Sequence, residues 1–204
     1  MSIISYITTV LVYALNTFNY LGWLEKINIT YEQMILYVMI PVVLILTFIS
    51  YILKHHKYNI VDVAVTLLQI VYCVFMFNFI SGIYSLENGK IYIWYAFIGS
   101  WFTDIFAYCV GRTIGKHTFT SISPKKTIEG CIGGILGAVI SFGVFTYILN
   151  TNFSLQISYL GILILAAVCS IISQLGDLFA SSIKRYTGIK DFGNLIPGHG
   201  GILD

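Results

Sequence analysis

Charge is the first thing this 204-residue chain lacks. Asp, Glu, Lys and Arg make up 10% of it, against about 25% in an average soluble domain. So few charges cannot clothe a water-exposed surface, which excludes a soluble globular enzyme and leaves nothing that points to nucleic acid as a partner. With three prolines and no serine-, glycine- or charge-rich run, no stretch reads as a linker, and residues 1–204 are expected to form a single membrane domain. No internal repeat is visible. The first twenty residues have neither a basic leader nor a small-residue cleavage site, so their apolar run reads as a membrane helix and not as a removed signal. Cys73, Cys109, Cys131 and Cys169 are too scattered for a metal motif or a redox pair. They read as small apolar packing residues.

What the chain has is apolar sequence, at 57% of residues. Runs long enough to cross ~30 Å of hydrocarbon lie near 3–21, 33–53, 61–81, 91–111, 130–149 and 157–180. The expected fold is all-α, a polytopic membrane helical bundle of about six transmembrane helices. It carries a basic loop after the fourth and a polar C-terminal tail. Lys54 and Lys57 follow the second helix. Arg112, Lys116, Lys125 and Lys126 follow the fourth, and Lys184, Arg185 and Lys190 follow the sixth. Lys26 and Lys90 alone fall on the other side, so the positive-inside rule puts the N-terminus, the basic loop and the tail in the cytoplasm. Residues 1–100 read as anchoring and packing helices. Asp62 there suits a helix start, and the neighbours of His55 and His56 suit a solvated turn.

Residues 101–204 place polar chemistry at the membrane edge. Asp104 sits about two turns from the expected end of the fourth helix. A carboxylate at the bilayer centre costs ~2.5–3.5 kcal/mol, and such an acid faces a polar cavity or a partner. In the loop that follows, Ser123 and Pro124 fit an N-cap with proline at N1, and Lys125 and Lys126 beside them make an anion site. The segment GRTIGK is not a nucleotide-binding P-loop, being too short and following a helix. Gly133, Gly137 and Ser141, four apart, with Gly130 and Gly134 adjoining, let a neighbouring helix approach the fifth closely. Ser173, Asp177, Ser181 and Lys184 form a polar stripe on the sixth. The glycine-rich tail beyond it suits a phosphate or nucleotide.

These segments resemble the phosphatidate cytidylyltransferases. The likeness is carried by W-x-x-D-x-x-A-Y-x-x-G-R-x-x-G-K from Trp101 to Lys116, S-P-K-K-T-x-E-G from Ser123 to Gly130, and Q-L-G-D from Gln174 to Asp177. The tail adds S-x-K-R from Ser182 to Arg185, Lys190-Asp191, and I-P-G-H-G-G-x-x-D from Ile196 to Asp204. The family pattern continues H-G-G-x-x-D-R-x-D and into a further membrane helix. The chain is therefore expected to be a piece shortened at both ends that inserts in a membrane but turns over little substrate.

The resemblance implies transfer of the cytidylyl group of CTP to phosphatidic acid, giving CDP-diacylglycerol and pyrophosphate in phospholipid biosynthesis. It implies a multi-pass protein of the bacterial cytoplasmic membrane with its active side in the cytoplasm. Magnesium would be held by Asp177 and Asp204, with a second, monovalent cation left open, as is a homodimer. Lys184, Arg185 and His199 would act on the phosphates, with Asp104 in support as an orienting acid or second cation site. Arg112, Lys116, Ser123, Lys125, Lys126, Lys190, Gly200 and Gly201 would bind substrate. The rival readings are an ion or solute transporter using Asp104 and Asp177, and an inactive membrane fragment. A CDP-alcohol phosphotransferase is disfavoured because its D-x-x-D-G-x-x-A-R pattern is missing.

Overall fold

The computed structural model describes residues 2–20, 35–54, 56–120, 123–153, 155–194, 197 and 200–201. It forms helices at all six expected places: α1 (Ser2–Tyr20), α2 (Ile40–Leu53), α3 (Ile60–Tyr84), α4 (Gly89–Ile114), α5 (Ile128–Asn152) and α6 (Tyr159–Thr187). The last four are long and apolar enough to cross a membrane, and α1 and α2 contain shorter apolar stretches. Exposed Ile, Leu, Val and Phe cover the outsides of these helices, as expected where lipid rather than water is the solvent. The chain is thus an all-α, multi-pass membrane protein.

Residues 1–90 and 91–204 form two compact units. In the first, the π-helical turn Ile35–Met39 leads into α2, and a second one, Ile70–Phe75, interrupts α3. Asn59 and Asp62 start α3 with a reciprocal capping box: Asp62 N–H donates to Asn59 Oδ1 at 2.9 Å and Asn59 N–H to Asp62 Oδ2 at 2.8 Å. Asp62 therefore does what its position announced. Ile4, Val43 and Ile70 form the core of this unit. Ser5 donates to Gln69 and Asn16 to Asn78, tying α1 to α3 through polar pairs that lipid would not replace.

In the second unit the glycines of α5 behave as their spacing predicts, and the helix they admit is α4. A Cβ at Gly134 would stand 2.9 Å from the backbone oxygen of Thr103, and one at Gly130 2.7 Å from that of Ala107. At Gly133 it would meet Val110 at 2.6 Å, and at Gly137 it would run into the Phe106 ring. Ser141 instead turns its hydroxyl back to Gly137 O at 2.7 Å. Farther along, Phe142 fills the space beside Gly99 and packs on Tyr95 with ring centroids 5.0 Å apart. Tyr95 keeps its hydroxyl satisfied at 2.7 Å from Thr146 Oγ1. Asn150 closes the α5–α6 connection by exchanging two 3.0 Å hydrogen bonds with the backbone of Ile157.

Gly134→Ala puts a methyl group against main chain that cannot rotate away. It is expected to destabilise the protein by about 1–3 kcal/mol, read as a lower unfolding midpoint in detergent. Gly161→Ala, where nothing lies within 4 Å, is expected to be neutral or slightly stabilising.

Candidate functional site

The site begins where α4 and α5 end their glycine contact. Helix α5 does not start at Ser123-Pro124. Ser123 to Lys126 is a turn, with Lys126 N–H donating to Ser123 O at 3.0 Å, and the cap is Thr127, whose Oγ1 accepts from Gly130 N–H at 3.1 Å. Thr127 wins because its backbone is extended (φ −115°, ψ 153°), as an N-cap requires, and because it pairs across the loop with Thr118. Two further backbone bonds zip that loop: Phe119 N–H to Lys126 O at 2.8 Å and Ile128 N–H to His117 O at 2.9 Å. The Glu129 carboxylate completes the closure, 2.6 Å from His117 Nδ1 and accepting from His117 N–H at 3.3 Å. The basic segment is therefore a closed loop, not a free tether.

Closing the loop drops Lys126 onto α6. Its ammonium lies 2.8 Å from Asp177 Oδ2 and donates to the Gln174 carbonyl at 3.2 Å. The lysine side chain is 16% exposed and the carboxylate 54%, so the acid keeps one side open. That open side faces a cavity of about 470 Å³. Asp104 from α4 and Asp177 from α6 line it, with Arg112, Ser123, Lys125, Lys126 and Thr127 on the basic side. Its volume lies within the ~300–1,000 Å³ of ligand pockets. Gly111 and Gly130 form part of the wall, where a side chain at either would strike Thr127. Arg112 stands at the rim, donating to the Tyr108 hydroxyl at 2.8 Å.

Helix α4 runs to Ile114, so Asp104 lies nearly three turns from its end rather than two. It is not sealed in the protein: it is an exposed residue whose carboxylate faces the cavity. Two acids and at least three cations thus share one concave surface, an arrangement that can hold a polyphosphate by its charge and a divalent cation by carboxylate oxygens.

Other predicted residues are not on this wall. Lys116 is exposed beyond α4. Lys184, on the stripe below Asp177, stacks its ammonium 5.4 Å from the Phe192 ring centroid, which folds the tail back on α6. Arg185 and Lys190 are exposed. The helix ends in a Schellman motif, with Gly188 left-handed at φ 71° and Ile189 N–H donating to Lys184 O at 3.0 Å. Gly200 has φ 109°, and Gly201 is buried with its Cα 3.2 Å from where a Cβ of Gly193 would lie. His199 and Asp204 lie outside the described residues. Among the described residues no three His, Cys, Asp or Glu side chains cluster as a metal site would need.

Sequence reasoning missed Gln174 and the His117–Glu129 clamp. Gln174 was visible only as a letter of a motif, although an amide inside an apolar helix is itself a signal. The clamp joins residues twelve apart in chain, a spacing no periodicity marks.

A family model described as "Cytidylyltransferase family" matches residues 1–204. Among curated proteins, the chain is 38% identical over 154 residues to a phosphatidate cytidylyltransferase of Staphylococcus haemolyticus, covering 75% of this chain and 57% of that protein. The Bacillus subtilis phosphatidate cytidylyltransferase is 38% identical over 165 residues, 80% of this chain and 59% of that one. That of Staphylococcus aureus is 39% identical over 154 residues, 75% and 57%. The chain thus spans somewhat under three fifths of the length of these relatives.

Glu129→Gln removes the charge that holds His117 and should let the loop open more often. Tryptic cleavage after Lys116 and Lys125 is expected to be roughly 1.5- to fivefold faster, the scale of an exposed ion pair, with the helices still protected.

Proposed function

The chain belongs to the cytidylyltransferase family, and on that premise we propose that the protein transfers the cytidylyl group of CTP to phosphatidic acid. The products would be CDP-diacylglycerol and pyrophosphate. The observation that carries this reading is the cavity on which Asp104, Asp177, Lys125, Lys126 and Arg112 converge at the ends of membrane-crossing helices. A water-soluble nucleotide and a lipid phosphate have to meet at such a boundary. The transport reading rests on the two acids alone and does not account for a basic wall facing them.

An oxygen of the phosphatidate phosphate attacks the α-phosphorus of CTP, and the bond from that phosphorus to the β-phosphate bridging oxygen breaks. The pair of electrons leaves on pyrophosphate. The attacking oxygen is already ionised, so the site has to position and neutralise rather than remove a proton. Lys125 and Lys126 are placed to take the phosphate oxygens of the nucleotide, and Arg112 at the rim to take the lipid phosphate through its planar fork of donors. Thr127, as the cap of α5, keeps the turn that carries both lysines fixed.

The donor set fits magnesium, which prefers carboxylate, water and phosphate oxygens. Asp177 and Asp104 would hold it, with Asp204 joining them by family resemblance. Bound there, it would neutralise charge on the triphosphate and polarise the reacting phosphoryl group. Lys126, which pairs with Asp177, would then release the carboxylate and turn to phosphate. Lys184, Arg185, Lys190 and the glycine turn at Gly200 and Gly201 belong to the wider substrate surface in this reading, as does His199. The cavity opens on the cytoplasm, where CTP is made, in agreement with the lysine and arginine distribution.

Asp177→Ala in the complete gene product is expected to lower turnover by at least ~100-fold, as loss of a metal-positioning group in phosphoryl transfer does. Wild-type turnover at saturating magnesium would remove Asp177 from the metal site. A cysteine placed at Thr120 should resist an impermeant thiol reagent in intact cells and react in inverted vesicles. Labelling from outside would reverse the orientation.

A further inference from the structure

A buried amide in the interface between apolar helices has to have all its hydrogen bonds accounted for. Gln174 lies on α6 one turn before Asp177 and is 7% exposed. Its side chain bridges elements: Nε2 donates to the Cys131 carbonyl at 3.2 Å in the first turn of α5, and to Ser170 Oγ at 3.4 Å. Ser170 Oγ accepts in turn from Thr103 Oγ1 of α4 at 2.9 Å. The main chain of the same residue serves the site, because the Gln174 carbonyl accepts from Lys126 Nζ, the ammonium that pairs with Asp177. Gln174 itself is not part of the cavity wall.

Resting on the transfer reading above, we propose that Gln174 is a positioning residue that sets the separation between the Lys126 ammonium and the Asp177 carboxylate. Both groups hang from ends that Gln174 joins. Asp177 is one turn along α6, and Lys126 stands five residues before Cys131, just outside the first turn of α5. The fifth and sixth helices pack through small and apolar groups that would tolerate a slide along their axes. The amide supplies a directional tie at the end where the slide would matter. A displacement of about 1 Å there can cost ~100-fold in rate.

The test uses the complete gene product in detergent, with CTP and phosphatidic acid in mixed micelles. Gln174→Leu keeps the volume and removes the donor. It is expected to lower kcat by roughly 10- to 100-fold while the KM for phosphatidic acid stays within about twofold. Gln174→Glu keeps the shape but offers no N–H to the Cys131 carbonyl, and should fall with leucine. Thr103→Val cuts the outer arm of the same chain and should keep kcat within about threefold. Equal losses in the Leu and Val variants, losses that follow the unfolding midpoint, or wild-type kcat in Gln174→Leu would each overturn the proposal.

A second readout does not depend on turnover. With the four native cysteines replaced by alanine, Lys126→Cys and Asp177→Cys are joined by a short bifunctional thiol reagent. Adding Gln174→Leu should reduce the cross-linking yield several-fold, and an unchanged yield would overturn the proposal. If the wild-type protein transferred no cytidylyl group, the transfer reading would fail, and the cross-linking result would still decide whether Gln174 sets the spacing.

Discussion

The polar half of this protein depends on one constraint, the absence of side chains along the line where α5 meets α4. In a bilayer no hydrophobic force draws one helix to another, because lipid tails are as apolar as leucine. Association has to come from close fit and from polar groups that lipid cannot satisfy. Gly130, Gly133, Gly134 and Gly137 supply the fit by letting the backbone of α5 approach Thr103, Phe106, Ala107 and Val110 directly. The contact continues to the helix ends, where Gly111 and Gly115 leave room for the Thr127 side chain. That is why the turn carrying Lys125 and Lys126 lies across the mouth of the unit instead of trailing into water.

Once the turn is there, charge balance organises what surrounds it. Lys126 is mostly covered, and an ammonium taken out of water needs an acceptor close by. It has two, the Asp177 carboxylate and the Gln174 carbonyl. The buried hydroxyls behind them are also matched, Ser170 Oγ accepting from both Thr103 Oγ1 and Gln174 Nε2. Among the described residues no buried side-chain oxygen or nitrogen lacks a partner. Low polarity makes each of these bonds more directional than its counterpart in water, so the acids and bases at the cavity stand on a braced frame.

How much of this was legible depended on the range of the signal. The spans were legible because hydropathy is read over twenty residues at a time: α4 and α5 extend the expected runs at both ends, and α6 starts at Tyr159 and overruns its expected end by about two turns. The glycine stripe was legible as a contact surface, but nothing in its spacing could say that α4 rather than α6 would fill it. Asp62 was legible as an acid at a helix start, but its reciprocal bonds with Asn59 came only with the structure. At Ser123-Pro124 the same local logic failed: the cap signal was present, yet pairing of Thr118 with Thr127 across the loop moved the helix start four residues on. Asp104 and Asp177 stood out as acids in an apolar stretch, and both line the cavity. Their convergence with Lys126 needed the fold, since the three residues come from separate segments of the chain. Lys184 was grouped with Asp177 by helical spacing, and its contact with the Phe192 ring joins two segments that spacing along one helix does not connect.

Helix α6 is unbroken for 29 residues, about 43 Å at 1.5 Å per residue, whereas the hydrocarbon layer is ~30 Å thick. One rigid rod therefore carries both the greasy span and Asp177. The carboxylate cannot change its depth without the whole rod moving. Asp177 lies 18 residues beyond Tyr159 on the rod, about 27 Å at that rise, so a change in bilayer thickness shifts the acid relative to the headgroup plane unless the rod tilts. Membrane thickness thus becomes a variable that the lipid composition of the host membrane writes directly into the spacing between the protein's charges and the phosphates of its surroundings.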